Sequence, residues 1–279
     1  MKFLLIAMLL FMFGCDDNPL IPPNDCAGVS GGSAFINECN LCVGGTSDVV
    51  DFCDTNEDGY DDRDIQVLQD FIDLNESLTG QNPLDIDSQE WVEGRLAILN
   101  LNYNQLTSIP ESIADLSSLE YLYLEWNQLS SIPESIGDLS NLTELYLSHN
   151  QLTSLPESIG DLSNLEYLSL NYNQLTSIPE NVGDLSNLTE LYLSHNQLTS
   201  IPETIGDLSS LLYLYLHYNQ LTSLPESICN LPSSCSIWVH DNYLCEEYHF
   251  PCIDLWGTQD QDDCCEGPEG QPNWTDDCD

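Results

Sequence analysis

One pattern constrains this chain more than any other. From Leu96, Leu-x-x-Leu-x-Leu-x-x-Asn-Gln-Leu-Thr-Ser-Ile/Leu-Pro-Glu-Ser-Ile-Gly-Asp-Leu-Ser-Asn recurs every 23 residues, starting at Leu96, Leu119, Leu142, Leu165, Leu188 and Leu211. A degenerate seventh copy surrounds Ile237, Val239 and Asn242. One such turn buries too little apolar surface to offset the entropy of ordering it, so it persists only when stacked on copies of itself. Leu-x-Leu alternation places two side chains of a short strand inward, and stacking adds each strand to a parallel sheet. The later Leu, Ile/Leu, Ile and Leu positions return the chain along an irregular second side. Asn104, Asn127, Asn150, Asn173, Asn196, Asn219 and Asn242 fall at the turn leaving the strand, where a buried amide satisfies backbone groups that no ladder reaches. Pro110, Pro133, Pro156, Pro179, Pro202 and Pro225 fix the start of the return segment.

These motifs resemble the typical 23-residue class of leucine-rich repeats, found in bacterial surface proteins and in plant and animal scaffolds, over residues 96–244. The resemblance implies an α/β solenoid: a horseshoe with a parallel concave β-sheet, short 3-10 or irregular convex segments and Cys-rich caps. In such a fold the exposed positions of the concave sheet are the third, fifth, seventh and eighth of each copy. They contain ten of the thirteen tyrosines, four of the five histidines and two of the five tryptophans, a bias that marks a surface rather than a composition. The ligand-binding candidates are Tyr103, Tyr121, Tyr123, Trp126, Tyr146, His149, Tyr167, Tyr172, Tyr192, His195, Tyr213, Tyr215, His217, Tyr218 and Trp238. Rigid amphipathic rings give contact area at small entropic cost. The competing explanation is that tyrosine suits strands and stacks on its neighbour across a ladder.

Charge narrows the partner. Three Lys+Arg stand against 47 Asp+Glu, a formal net charge of -44, which is incompatible with holding nucleic acid or anionic lipid by charge. Glu125, Glu144, Glu190 and Asp241 lie on the same face as the rings, and no lysine or arginine does, so a neutral or basic protein or glycan is favoured. Glu111, Glu134, Glu157, Glu180, Glu203 and Glu226, with Asp115, Asp138, Asp161, Asp184 and Asp207, form columns on the convex side. At a strand spacing of about 4.8 Å such columns repel unless salt or divalent ions screen them.

Catalytic chemistry is not expected. Glu144 and Glu190 lie two strands apart, roughly 9.6 Å, at the outer edge of the range used by inverting glycosidases, with Tyr167 between them. His149 and His195 are equally separated, too far to share a metal ion. No serine follows a nucleophile-elbow pattern and no glycine-rich phosphate loop is present.

Outside the array the reading is modular. Residues 1–14 read as a signal peptide, because Lys2 precedes an apolar run over 3–13 that is shorter than the roughly 20 residues of a membrane span. Met12-Phe13-Gly14-Cys15 resembles the lipobox of bacterial lipoproteins, which implies a lipid anchor on Cys15; soluble secretion is the alternative. Either way the expected location is secreted or at the outer cell surface, with membrane contact only through that anchor. Residues 15–25 form a tether and residues 26–53 a Cys/Gly-rich module, which resembles short modules of bacterial surface proteins. The spacing of Cys39-x-x-Cys42 between Cys26 and Cys53 also allows a zinc site. Residues 54–95 hold a calcium-loop-like segment and a cap helix over 64–75, whose Ile65, Leu68, Phe71 and Ile72 recur at helical spacing. Oxygen side chains at alternate positions with Gly59 at the sixth suit calcium, with Asp54, Asn56, Asp58, the Tyr60 carbonyl and Asp62 or Asp64 as ligands. The loop resembles those of dockerin modules and thrombospondin type-3 repeats, but Ile65 replaces the bidentate twelfth glutamate of an EF-hand. Residues 245–279 read as a Cys-rich acidic cap and tail.

None of the twelve cysteines lies between Cys53 and Cys229, so they act as staples on the caps in an oxidising compartment, with Cys245 and Cys252 as a local pair. With Cys15 lipidated, seven cysteines remain in the C-terminal group, and one lacks a partner there. Asn75, Asn141, Asn187 and Asn273 begin glycosylation sequons that read as accidental in so Asn-, Ser- and Thr-rich a chain.

Two functions from different classes follow: a surface binding module whose ring-lined face captures a protein or glycan, and a calcium-stabilised spacer without a specific ligand. Both demand that side chains 23 apart become lateral neighbours, so Tyr146 and Tyr192 must point the same way.

Overall fold

The computed structural model describes residues 54 and 58–260, together with the backbone of 35–36 and 42–43. The predicted signal segment, Cys15, the tether, most of the Cys/Gly module and the tail beyond residue 260 lie outside the described residues, as does Asn56. Contacts divide the chain into two units, 1–58 and 59–279. In the first, β1 (Phe35–Ile36) pairs antiparallel with β2 (Cys42–Val43).

The second unit is the solenoid. Helix α1 (Asp62–Leu74) matches the expected cap helix within two residues and buries Val67, Leu68, Phe71 and Ile72. Asp61 caps its first turn by accepting from the Arg63 N–H at 3.0 Å. Then come β3 (Ser88–Val92) and β4 (Arg95–Asn100), followed by β5 (Tyr121–Tyr123), β6 (Glu144–Tyr146), β7 (Tyr167–Ser169), β8 (Glu190–Tyr192), β9 (Tyr213–Tyr215) and β10 (Ser236–Trp238). They form one eight-stranded sheet in sequential order. From β4 onward all pairings are parallel and each shifts by one repeat: Tyr121 faces Glu144, Glu144 faces Tyr167, Tyr167 faces Glu190. Strand β3, an antiparallel partner of β4, was not anticipated; it closes the N-terminal edge that a purely parallel array would leave open. Between strands the chain returns through 3-10 turns such as Glu134–Asp138 and Glu157–Asp161, each entered from a proline.

Inside, the leucines and isoleucines of every turn join one continuous core with the buried face of α1. The first turn is tied to α1 by a buried ion pair. Arg95 Nε and Nη2 donate to the Asp64 carboxylate at 3.0 and 2.9 Å, and Asp64 also accepts from the Leu96 N–H at 2.7 Å. Burial raises the Asp64 pKa even against these donors. Asp64 therefore leaves the proposed calcium ligand set: its oxygens are turned inward and engaged.

The asparagine column behaves as its position requires. Asn173 Nδ2 donates to the carbonyls of Leu147 and Leu170, both at 3.0 Å, and its Oδ1 accepts from the Leu152 N–H at 3.0 Å. Asn104 departs from the expected column, being only half-buried with no repeat turn before it, and donates instead to Asp87 Oδ2 at 2.8 Å and the Asn102 carbonyl at 3.1 Å. From Asn127 on, each amide joins its own turn to the one before, as Asn173 does. At the end of the array Gln259 makes the same three contacts, donating to Val239 and Trp256 carbonyls at 3.0 and 2.8 Å and accepting from the Leu244 N–H at 3.4 Å. Gln259 is a further rung in the column, placed by a shortened last turn whose backbone bridges Trp238 to Leu255. At the other end Asn75, buried, accepts from the Thr107 and Ser108 N–H groups at 2.8 and 3.1 Å, a structural role for that sequon asparagine.

From the second copy on, the convex turns stack so closely that a side chain beyond glycine meets the next turn, while the first copy carries Ala114 at the same position. A Cβ on Gly160 would sit 2.4 Å from the Asn181 carbonyl oxygen, and Gly137, Gly183 and Gly206 meet the same obstacle from the next turn. The corresponding residue of the last regular turn is Cys229, 23 residues after Gly206. No regular turn follows it, and the freed space holds a disulfide to Cys252 with a Cα–Cα distance of 5.5 Å. This corrects the expected Cys245–Cys252 pair; Cys245 is disulfide-bonded elsewhere. Among the described residues Cys235 is the free cysteine, and burial pushes its thiol up to about 12.

Two substitutions test this packing. Asn173→Ala strands a buried N–H and carbonyls and is expected to lower the unfolding free energy by about 3 kcal/mol, read by chemical denaturation. Gly160→Ala, which removes no hydrogen bond, is expected to cost about 1–3 kcal/mol through overpacking alone.

Candidate functional site

Strands β5 to β10 point their central residue into the core and leave the flanking residues half-buried or exposed on the outer sheet face, except the buried Ser169 of β7. All fifteen ring residues expected there are on that face. Tyr146 and Tyr192 occupy equivalent positions of β6 and β8 and project to the same side.

The rings form two files. The eighth position of each copy carries Tyr103, Trp126, His149, Tyr172, His195 and Tyr218, stacked with centroid distances of 5.5, 3.6, 4.2, 4.1 and 4.3 Å and interplanar angles no larger than 16°. Every one has a positive φ, between 54° and 61°. Left-handed backbone normally selects Gly, Asn or Asp. The turn leaving the strand therefore imposes a conformation that rings do not favour, and stacking is what retains them. Asp241 takes the equivalent place in the seventh copy, with φ 54° and its carboxylate bonded to His240 Nδ1 at 2.6 Å and Thr258 Oγ1 at 2.8 Å. The His240 contact is the first of the causes holding the Asp241 pKa below the usual carboxylate range.

The second file runs Tyr123, Tyr146, Tyr167, Tyr192, Tyr215 and Trp238 at 4.5 to 5.1 Å. Where Ser169 interrupts the fifth position, Tyr167 from the third position fills the gap. Ser169 itself is buried and bonded to the Ser148 hydroxyl at 2.6 Å. Tyr121 and Tyr213 flank the file, Tyr213 with its ring 6.1 Å from Tyr215. Tyr146 donates its hydroxyl to Glu144 Oε2 at 2.5 Å, and Tyr192 donates likewise to Glu190 Oε2. Burial, reinforced by those carboxylates, raises the pKa of both phenols, so they remain protonated donors. Burial also raises Glu125, against the bond from Asn102.

His217 stacks on His240 at 4.6 Å, and its Nδ1 has no hydrogen-bond partner. His240, 23 residues after His217, is one of the four histidines that the repeat arithmetic put on this face, but it was left out of the binding candidates. Burial, with His240 and His195 nearby, pushes His217 down to about 4, and burial lowers His149 and His195 as well. At neutral pH these three rings are uncharged and offset none of the acidic residues of the face. Of the predicted calcium ligands, Asp54 accepts from the Asp58 N–H at 3.1 Å. Tyr60 packs edge-on against Trp91 at 4.8 Å, and Asp62 begins α1. No group of three or more metal-ligating side chains converges among the described residues.

Against this geometry the comparisons agree. The family model described as a leucine-rich repeat region matches residues 94–192 and 154–241, together just over half of the chain, and the chain belongs to that family. Among solved structures it is similar to a leucine-rich-repeat protein of Leptospira interrogans, at 39% identity and TM-score 0.52, over 53% of this chain and 38% of that one. It is also similar to the ectodomain of the receptor kinase GASSHO1/SCHENGEN3 of Arabidopsis thaliana, solved with CASPARIAN STRIP INTEGRITY FACTOR 2. There the identity is 37% and the TM-score 0.51, over 59% of this chain and 21% of that one. A third is an internalin of Listeria monocytogenes, at 26% and 0.50, over 59% of this chain and 47% of that one. The match therefore spans less than half of each of these solved chains. Among curated proteins none matches this chain. No helix among the described residues is long and apolar enough to cross a membrane.

The histidines make the fold pH-sensitive in a defined direction. Between about 6.5, the unfolded value, and about 4, the unfolded chain binds a proton that folded His217 does not, so stability falls as pH drops through that window. His217→Gln removes this contribution. Its melting temperature is expected to fall less between pH 7 and pH 5 than that of the unaltered protein, measured by scanning calorimetry at constant ionic strength.

Proposed function

We propose that this protein is an exported, surface-located binding module whose concave, ring-lined sheet face recognises a protein or glycan of neutral or basic character. The observation that carries this reading is the convergence of fifteen aromatic and imidazole side chains with Glu125, Glu144, Glu190 and Asp241 on one face that holds no lysine or arginine. Leucine-rich-repeat folding supports protein recognition in general, and the Arabidopsis neighbour was solved with a bound factor. The role is binding rather than catalysis. Export and an anchor on Cys15 rest on the sequence of the first fifteen residues, and calcium rests on the alternating oxygen side chains of 54–62.

A second reading draws on a specific observation. Because the eighth-position rings cover one another's faces, they also serve as a stabilising ladder, as a spacer without a ligand would use them. The double variant Tyr146→Ala, Tyr192→Ala separates the two. Under recognition, saturable capture in a protein and glycan array falls at least about 10-fold, the loss of two central rings, while the fold persists. Under the spacer reading only the melting temperature moves. Calcium is tested on the intact protein: addition is expected to raise the melting temperature, and Asp58→Asn to abolish that rise; an unchanged melting temperature rejects the ion.

A further inference from the structure

The outer face of the sheet does not repeat with the backbone. The backbone period is one turn, but the third position alternates Tyr121, Glu144, Tyr167, Glu190, Tyr213, and the eighth alternates Trp126, His149, Tyr172, His195, Tyr218. The hydrogen bonds follow the same rule: a tyrosine hydroxyl meets a glutamate on β6 and on β8, and not on the strand between. The chemical unit of the face is therefore two strands wide, about 9.6 Å at ordinary strand spacing.

A partner that engages more than one unit must present like groups at that interval. An extended β-strand shows the same face every second residue, about 6.7 Å, and falls out of step at once. An α-helix returns to one face about every 5.4 Å, or about 10.5 Å over seven residues, and drifts by nearly 1 Å per unit. A polyproline II helix has three residues per turn at about 3.1 Å each, or about 9.3 Å, within a few tenths of an ångström of the unit.

Ring orientation agrees with this choice. In the eighth-position file the ring faces are turned toward each other, so a ligand meets ring edges rather than open faces. In the second file Tyr123 and Tyr146 stack, the next three pairs tilt by 31–39° and Trp238 stands edge-on, so those faces are covered in part. Flat stacking of a sugar needs an open face. Polyproline II segments dock against aromatic-lined surfaces without needing such a face. Charge supplies the remaining specification, because each unit carries one glutamate whose Oε2 accepts from a tyrosine and whose other oxygen makes no hydrogen bond among the described residues.

We propose that the face binds a polyproline II peptide running across the strands, with an arginine or lysine at every third residue. The basic side chains address Glu144 and Glu190, and the intervening residues lie on the tyrosine edges. This rests on the recognition reading above and names its ligand class.

The test uses the intact protein and calorimetric titration at physiological salt, because so acidic a chain attracts any polycation. One peptide is four Pro-Pro-Arg triplets; its control has the same composition with the four arginines contiguous. The phased peptide is expected to bind about 10-fold more tightly, two charge pairs each contributing under about 1 kcal/mol. Glu144→Gln with Glu190→Gln is expected to erase that preference, and Glu157→Gln, exposed on a convex turn away from this face, to leave it. Circular dichroism checks that each variant is folded. Equal affinities, a preference that survives the double variant, or no binding of the phased peptide each overturn the proposal. Saturable binding of a neutral β-linked oligosaccharide, lost in Tyr146→Ala and unaccompanied by peptide binding, would overturn it while leaving the recognition reading standing.

Discussion

A parallel sheet of three-residue strands leaves most of its backbone outside any ladder, and the column of buried amides is what makes such a chain foldable. From Asn127 to Asn242 each asparagine gives two donors to carbonyls on successive turns and takes an N–H, so it is at once a turn and an inter-turn link. Removing the polar groups from that channel would leave buried carbonyls with no water to receive them. The column also sets the register of everything outward from it, since it fixes each turn exactly one repeat from the last. The leucines inside, the glycines on the convex side and the rings on the sheet face are columns because the amides are. Its C-terminal end is consequential for that reason: with Gln259 as a further rung, the last turn keeps its polar contacts although its sequence no longer repeats.

Electrostatics is arranged around the same axis. Arg63 and Arg95, two of the three cations in the sequence, are placed beside Asp61 and Asp64 where α1 meets the first turn. There a guanidinium satisfies a buried carboxylate bidentately, and breaking either partner would leave a charge without compensation. The remaining array has no basic side chain at all. Its glutamates on the sheet face are separated by an intervening tyrosine strand, which keeps like charges from standing directly opposite each other across the ladder, where they would destabilise it. The two-strand alternation is thus compatible with folding before any ligand is considered.

Much of this was legible in the sequence because periodicity converts linear spacing into spatial neighbourhood. The sheet, the amide column, the 3-10 turns entered at proline and the alignment of Tyr146 with Tyr192 follow from counting in units of 23. What counting missed lies where the period breaks. Strand β3 precedes the first copy and pairs antiparallel, a contact set by a hairpin rather than by the repeat. Gln259 stands 17 residues after Asn242, so its equivalence is visible only in its hydrogen bonds. The cysteine pairing failed for a subtler reason. Proximity in sequence suggested Cys245 with Cys252, whereas the vacancy left by a missing glycine column partner decided for Cys229. Asp64 looked like a metal ligand because residue type was read without direction, and in α1 it faces inward to Arg95.

The ring file shows where structure changes the chemistry that composition suggests. Tyrosine, tryptophan and histidine in left-handed backbone each cost about 1–2 kcal/mol relative to a right-handed conformation, and a stacked aromatic pair returns about 0.5–1.5 kcal/mol. The balance is close to zero for a ring with neighbours on both sides and unfavourable for one without. In the seventh copy, beyond which no ring follows, the position is occupied by Asp241, a residue that tolerates this conformation and finds side-chain partners in His240 and Thr258. The rings of the first six copies stack on one another. Their faces are accordingly committed within the protein, and the surface offered to solvent is a set of ring edges and phenols beside carboxylates, which selects partners by edge packing, hydrogen bonding and positive charge instead of by face stacking.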